Sequence, residues 1–226
     1  MLKAIIFDCD GVIADTEPLH LSTFQAALKD EGIAITVEDY YRHYLALDDR
    51  GCFKRVYERG GLELSDEKLD ELIHRKAAAL EPIMRAELKL FPGVVDFIRT
   101  AAARFPLAVA SGALANEIDL ILRHAGVRDC FNAVVSAGDV ANGKPHPEPF
   151  IKALSFINTS LEAPIQPGEC LVIEDSLHGV QAARLAGMRC LAVTNSYDGS
   201  LLWEADIIAA SLADISLEQI EALFSR

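Results

Sequence analysis

The chain has 226 residues, enough for one large α/β domain or a core with a small second domain. Hydrophobic residues make up 51% of it, which excludes a disordered profile. The formal charge of −13 argues against nucleic acid and anionic membranes as partners. A site for a phosphorylated molecule on such a surface must carry its own local positive charge.

The first element is the apolar run Ala4–Phe7, which ends in Asp8-Cys9-Asp10-Gly11-Val12. It reads as a buried strand. Burying even one unpaired carboxylate costs several kcal/mol or shifts its pKa, so two call for a cation between them or a chemical task. Mg²⁺, a hard cation that takes one or two carboxylates plus substrate phosphate, fits. In an extended segment, residues two apart project to one side. One aspartate can then act as nucleophile while the other moves protons. A plain strand-end turn is the alternative, since Asp and Gly commonly begin loops.

From about Thr16 to Glu87 no strand-like run appears. The spacing predicts helices over Pro18–Glu31, Val37–Ala46, Asp49–Arg59 and Ser65–Leu80, the last opened by Ser65 with Asp66 and Glu67 at its positive dipole end. Phe91-Pro92-Gly93 is a turn signal marking the return. Further short apolar runs follow at Leu107–Ala110, Ala133–Val135, Leu171–Ile173, Leu191–Val193 and Ile207–Ala209. Helical faces separate most of them: Val94, Phe97 and Ile98; Ile118, Ile121 and Leu122; Val180, Ala183 and Arg184. The last helix opens with a capping box, Ser216 to Gln219. Continuous apolar strands alternating with helices predict an α/β fold, a Rossmann-like parallel sheet covered on both faces, with an inserted α-helical cap. In such sheets ligands bind beyond the carboxyl ends of the strands. A helical insertion after the first strand is expected to sit there as a lid.

Four further groups follow strands or lie in the insertion. Glu174-Asp175-Ser176 is a second acidic cluster at a strand end; a shared metal is one reading, a helix N-cap at Asp175 or Ser176 the other. Ser111-Gly112 offers a hydroxyl and backbone N–H groups as a phosphate cradle, or again a cap. Lys144, between Gly143 and Pro145, is expected in a rigid exposed turn, able to offset phosphoryl charge or simply solvated. His20 on the first inserted helix is either a substrate or proton-relay group or an ordinary helix residue. Arg50 could grip a distal anionic group or make a local ion pair, and Tyr44 and Asp48 are further candidates for the substrate face.

The five cysteines (Cys9, Cys52, Cys130, Cys170, Cys190) show no C-x-x-C spacing, and their apolar flanks predict buried free thiols in a reducing compartment. The run after Met1-Leu2-Lys3 is too short for a signal peptide or membrane span. The expectation is a cytoplasmic protein, a monomer or weak homo-oligomer, with no nucleic-acid or membrane partner.

Taken together these residues resemble the haloacid dehalogenase superfamily of phosphohydrolases. Asp8–Glu17 looks like its first motif, Ser111 its second, Lys144 in Gly-Lys-Pro-His-Pro-Glu-Pro its third and Glu174-Asp175-Ser176 its fourth. The inserted helices resemble the subclass containing β-phosphoglucomutase and phosphoglycolate phosphatase. The resemblance implies a core of residues 1–15 and 88–226 and a cap of 16–87. It implies Asp8 as the nucleophile that becomes an aspartyl-phosphate and Asp10 as general acid and base. It places Mg²⁺ on Asp8, the Asp10 carbonyl and Asp175, with Glu174 adjacent. Ser111, Gly112 and Lys144 would bind the phosphoryl group, with His20 and Arg50 toward the rest of the substrate. The implied activity is hydrolysis of a small phosphorylated metabolite, a sugar phosphate. The alternatives are a sugar-phosphate mutase and, from another class, a phosphoacceptor signalling domain. The mutases carry a Lys-Gly step before an arginine; here the stretch reads Leu45-Ala46-Leu47-Asp48-Asp49-Arg50. An acid at Asp10 suits expulsion of an alkoxide rather than a halide.

Overall fold

Ala4, Ile5, Ile6 and Phe7 are all fully buried, and this follows from where their strand lies. The computed structural model describes residues 1–45 and 47–225. In chain order the elements are β1 (Ala4–Phe7), β2 (Ala14–Asp15), α1 (Glu17–Lys29), α2 (Val37–His43), α3 (Asp49–Arg59), α4 (Asp66–Glu87), β3 (Lys89–Leu90), α5 (Val94–Ala102), β4 (Leu107–Ala110), α6 (Ala115–His124), β5 (Ala133–Val135), α7 (Glu148–Asn158), β6 (Cys170–Glu174), α8 (Leu177–Leu185), β7 (Arg189–Val193), β8 (Ile207–Ala209) and α9 (Leu217–Leu223). They divide into two compact units, residues 1–15 with 89–226, and residues 16–88.

The first unit is built on a six-stranded parallel sheet of order β5-β4-β1-β6-β7-β8. β1 is central. Ile6 joins the cluster that α7 and α8 close with Phe150, Ala153, Leu154, Val180 and Ala183. Phe7, facing the other way, meets the edge of Phe97 from α5 at 6.2 Å and of Phe131 at 5.6 Å. Both faces are covered, so the strands need apolar residues at consecutive positions. The chain runs from β1 out to β4 and β5, then returns to β6, β7 and β8. Strand order therefore reverses between β1 and β6, where α/β sheets bind ligands. β2 and β3 form a separate antiparallel ribbon, with Asp15 opposite Lys89 and Ala14 opposite Leu90.

Among the described residues the second unit holds four helices around Phe24, Leu28, Phe53, Val56, Leu69 and Leu72. The rings of Phe24 and Phe53 lie 4.5 Å apart. Thr36, Asp48 and Ser65 cap α2, α3 and α4 through their side chains. Each satisfies one N–H that a helix start otherwise leaves unpaired.

Several expectations need correction. α4 does not stop near Leu80 but continues through Pro82 to Glu87, because Leu80 and Met84 stay buried on its inner face. α2 ends at His43, where Tyr44 closes it, and Ala46 lies outside the described residues. Arg184 is not on the packed face of α8; it is exposed and pairs with Glu204 at 2.9 Å, while Ala182, Ala183 and Ala186 do the packing. Four cysteines are buried, but Cys130 is half-buried and Cys52 sits in α3 rather than beside a strand. Among the described residues no helix is long and apolar enough to cross a membrane.

Candidate active site

Asp8 directly follows β1, and Glu174 closes β6, so neighbouring parallel strands deliver both to one end of the sheet. Asp175 follows at once. One carboxylate oxygen from each of Asp8, Glu174 and Asp175 falls within 4.8 Å of the others, and all three residues are buried. Lys144 enters from the β5–α7 connection. Its ammonium lies 2.8 Å from Asp8 Oδ1 and 2.6 Å from Glu174 Oε1, above the ring of Phe150. It lies in a turn, as its Gly and Pro neighbours suggested, but it is not exposed there: its side chain is 12% exposed. The attraction to two buried carboxylates outweighs the cost of desolvating it.

The electrostatics are uneven. Glu174 Oε2 accepts from the N–H groups of Asp175 and Ser176 and from the Ser176 hydroxyl, each at 2.9 Å. Burial works against its charge, but Lys144 and these donors hold its pKa below the usual carboxylate range. Burial pushes Asp8 up to about 7; Lys144 opposes this, while Glu174 and Asp10 add to it. Burial, then Glu174 and Asp8, drive Asp175 well above its ordinary value. Three buried carboxylates thus stand beside one lysine, two positive charges short of balance.

The structure supplies tests of whether a cation fits. Asp8 Oδ1 is buried and, among the described residues, no donor makes a well-formed hydrogen bond to it, although the Lys144 ammonium lies 2.8 Å away. Gly11, at φ +74°, admits Asp175: a Cβ there would lie 1.8 Å from Asp175 Oδ2. Gly179 likewise admits Glu174, whose carboxylate a Cβ would meet at 1.8 Å. Glycine is needed at both positions for the carboxylates to converge. The all-oxygen donor set with one unsatisfied oxygen fits a hard divalent cation.

Asp10 stands apart from that trio. It sits in the tight turn closed by Ile13 N on Cys9 O at 2.8 Å and Gly11 N on Ala14 O at 3.0 Å. Its Oδ2 accepts from the Ser111 hydroxyl at 3.1 Å, and Ser111 Oγ accepts from Ala113 N at 3.0 Å. Ser111 follows β4 but does not open a helix; α6 begins at Ala115 with Leu114 as its cap. Gly112 faces open space. Ser176 does cap α8, accepting from Gly179 N at 3.0 Å, so a cap and an acidic site coexist there.

In the helical unit, His20 Nδ1 lies 2.7 Å from the ammonium of Lys76, which also donates to Asp49 Oδ1 at 2.6 Å and covers the Phe24 ring. Lys76 is 1% exposed. Sequence reasoning missed it because a lysine on a long charged helix reads as solvated. Arg50 pairs with Asp70 at 2.6 Å on an exposed surface. Tyr44 is buried and Asp48 is spent capping α3. Asn195 and Ser196, after β7, also reach the acid site without any sequence signal: Asn195 Nδ2 donates to the Gly11 carbonyl at 2.7 Å, and the Ser196 hydroxyl donates to Asp175 Oδ2.

Comparisons with known proteins show the family. Residues 2–187 match the family model of the haloacid dehalogenase-like hydrolases. Fructose-1-phosphate phosphatase YqaB of Escherichia coli (strain K12) is 31% identical over 84% of this chain and 95% of its own. β-Phosphoglucomutase of Bacillus subtilis (strain 168) is 27% identical over 96% of this chain and 93% of its own. The crystal structure of CbbY from Rhodobacter sphaeroides in complex with phosphate superposes with a TM-score of 0.86 at 26% identity, covering 98% of this chain and all of that one. The chain belongs to the haloacid dehalogenase-like hydrolases and is a phosphoric monoester hydrolase of that superfamily.

Proposed function

We propose that the protein is a Mg²⁺-dependent phosphatase of a small phosphorylated sugar, working through an aspartyl-phosphate on Asp8. The convergence of Asp8, Glu174 and Asp175 around Lys144 carries this reading. Asp8, Asp175 and Glu174 would hold Mg²⁺, which when bound supplies positive charge against the phosphoryl oxygens. Asp8 attacks phosphorus, forming an O–P bond as the bond to the sugar oxygen breaks. Asp10 gives that oxygen its proton. Asp10 then takes a proton from water as the water attacks the aspartyl-phosphate, releasing inorganic phosphate and restoring the Asp8 carboxylate. Lys144 balances phosphoryl charge, and the Ser111 hydroxyl, which lies beside Asp10, binds a phosphoryl oxygen. We assign residues 16–87 the role of a cap domain, and His20 a part in substrate binding.

A sugar as substrate follows the fructose-1-phosphate phosphatase among the relatives. Mg²⁺-dependent release of phosphate from p-nitrophenyl phosphate, abolished by EDTA, tests the chemistry, and a panel of sugar phosphates tests the substrate. No turnover of any phosphate ester would overturn the reading. The β-phosphoglucomutase relative supports a second one, transfer back to a sugar. Incubation with β-glucose 1-phosphate and a bisphosphate primer separates them: inorganic phosphate marks the phosphatase, glucose 6-phosphate the mutase. The stretch Leu45-Ala46-Leu47-Asp48-Asp49-Arg50, which lacks the Lys-Gly step that the mutases carry before an arginine, favours the phosphatase.

A further inference from the structure

The connection after β7 ends on the acid site. Its root is tied to the sheet by Thr194 N on Ala209 O at 3.0 Å. The next residue, Asn195, donates to the Gly11 carbonyl at 2.7 Å, in the turn that carries Asp10. Ser196 then donates to Asp175 Oδ2. A Cβ on Gly11 would lie 2.9 Å from Ser196 Oγ and 1.8 Å from Asp175 Oδ2, so segments from β1, β6 and β7 meet within the width of one methyl group.

Lys144 reaches Asp8 and Glu174; the Asp175 carboxylate takes its hydrogen bond from Ser196 instead. Asp175 is buried and crowded by two other acids. A carboxylate in that setting is held in one rotamer only if a donor fixes one of its oxygens. Partners of this kind, which orient a metal ligand without touching the metal, are typically worth ten- to a hundredfold in metal affinity.

We infer that Ser196, seated by the Asn195–Gly11 hydrogen bond, is a positioning residue that orients Asp175 for divalent-cation binding. The inference rests on the metal-dependent reading above and concerns only the cation, not the phosphate ester. The seryl hydroxyl fixes the carboxylate before the ion arrives, so less ordering is left for the ion to impose.

Calorimetric titration of the metal-stripped full-length protein with MgCl₂ tests it without any turnover. Ser196→Ala is expected to weaken Mg²⁺ binding about tenfold or more. Ser196→Thr, which keeps a hydroxyl donor, is expected to stay within about threefold of the parent. Asn195→Ala is expected to weaken binding about threefold or more through the loop alone. A parent that binds Mg²⁺ and a Ser196→Ala variant within about twofold of it would overturn the assignment of Ser196 and leave the catalytic reading standing. A parent that binds no Mg²⁺ would overturn both.

Discussion

The Lys144 ammonium lies 2.6 Å from Glu174 Oε1, and the Glu174 side chain has no exposed surface. This pair is the charge balance on which the acid site is built. Lys144→Met leaves Glu174 buried without its cation, which typically costs ~3–5 kcal/mol. Urea unfolding should show that loss. The double variant Lys144→Met/Glu174→Gln should recover part of it, because the remaining group is neutral. Turnover should fall about 10²–10³-fold in the single variant.

Asp8 gives a pH signature in metal-free protein. Burial, only partly offset by Lys144, pushes it up to about 7 in the folded state. An unfolded chain releases that proton near pH 4. Between these values the folded state binds the extra proton, so stability falls as pH rises through about 4 to 7 and levels off above. Asp8→Asn should make that decline shallower and abolish turnover of p-nitrophenyl phosphate. Denaturation in EDTA at pH 5 and pH 8 measures the slope; identical slopes in parent and variant would contradict the burial argument.

Metal removal should be visible in stability as well as rate. A cation at one hundred times its Kd stabilises the folded state by ~2.7 kcal/mol. For a chain of this size that raises Tm by about 5–10 °C. Mg²⁺ should produce this shift in a melting experiment and EDTA should reverse it. Asp8→Asn should blunt the shift, since it removes one of the three carboxylates.

A second buried cation makes a separate prediction. Lys76 is 1% exposed and donates to Asp49 at 2.6 Å. Asp49→Ala leaves that ammonium without a carboxylate and should cost ~3 kcal/mol. Lys76→Met, which removes the charge and keeps the length, should cost less. Denaturant midpoints for the two variants rank them; the reverse order would show that the methylene packing of Lys76, not its charge pair, matters more.

How far the site could be read from the chain differs residue by residue. Asp8, Glu174 and Asp175 were legible because each ends an apolar run, and a parallel sheet puts all such ends on one side. The burial of Lys144 was not legible: its local setting of Gly and Pro left a solvated turn open, and the burial comes with Asp8 and Glu174, distant in sequence. Ser196 and Asn195 carried no signal at all, since polar residues after a strand are the ordinary composition of a loop. Helix starts were readable at Ser65 and Ser216, where caps act within four residues. The end of α4 was not, because the packing of Leu80 and Met84 across the unit overrides Pro82.

The ribbon of β2 and β3 has a bearing on how such chains diversify. Asp15 and Lys89 are register partners, so everything between them leaves and rejoins the first unit at a single spot. Excising residues 16–88, or grafting another module across that junction, would leave every strand of the six in its place and its order. A different helical module could then be accepted at one doorway without moving the strand ends that carry the carboxylates.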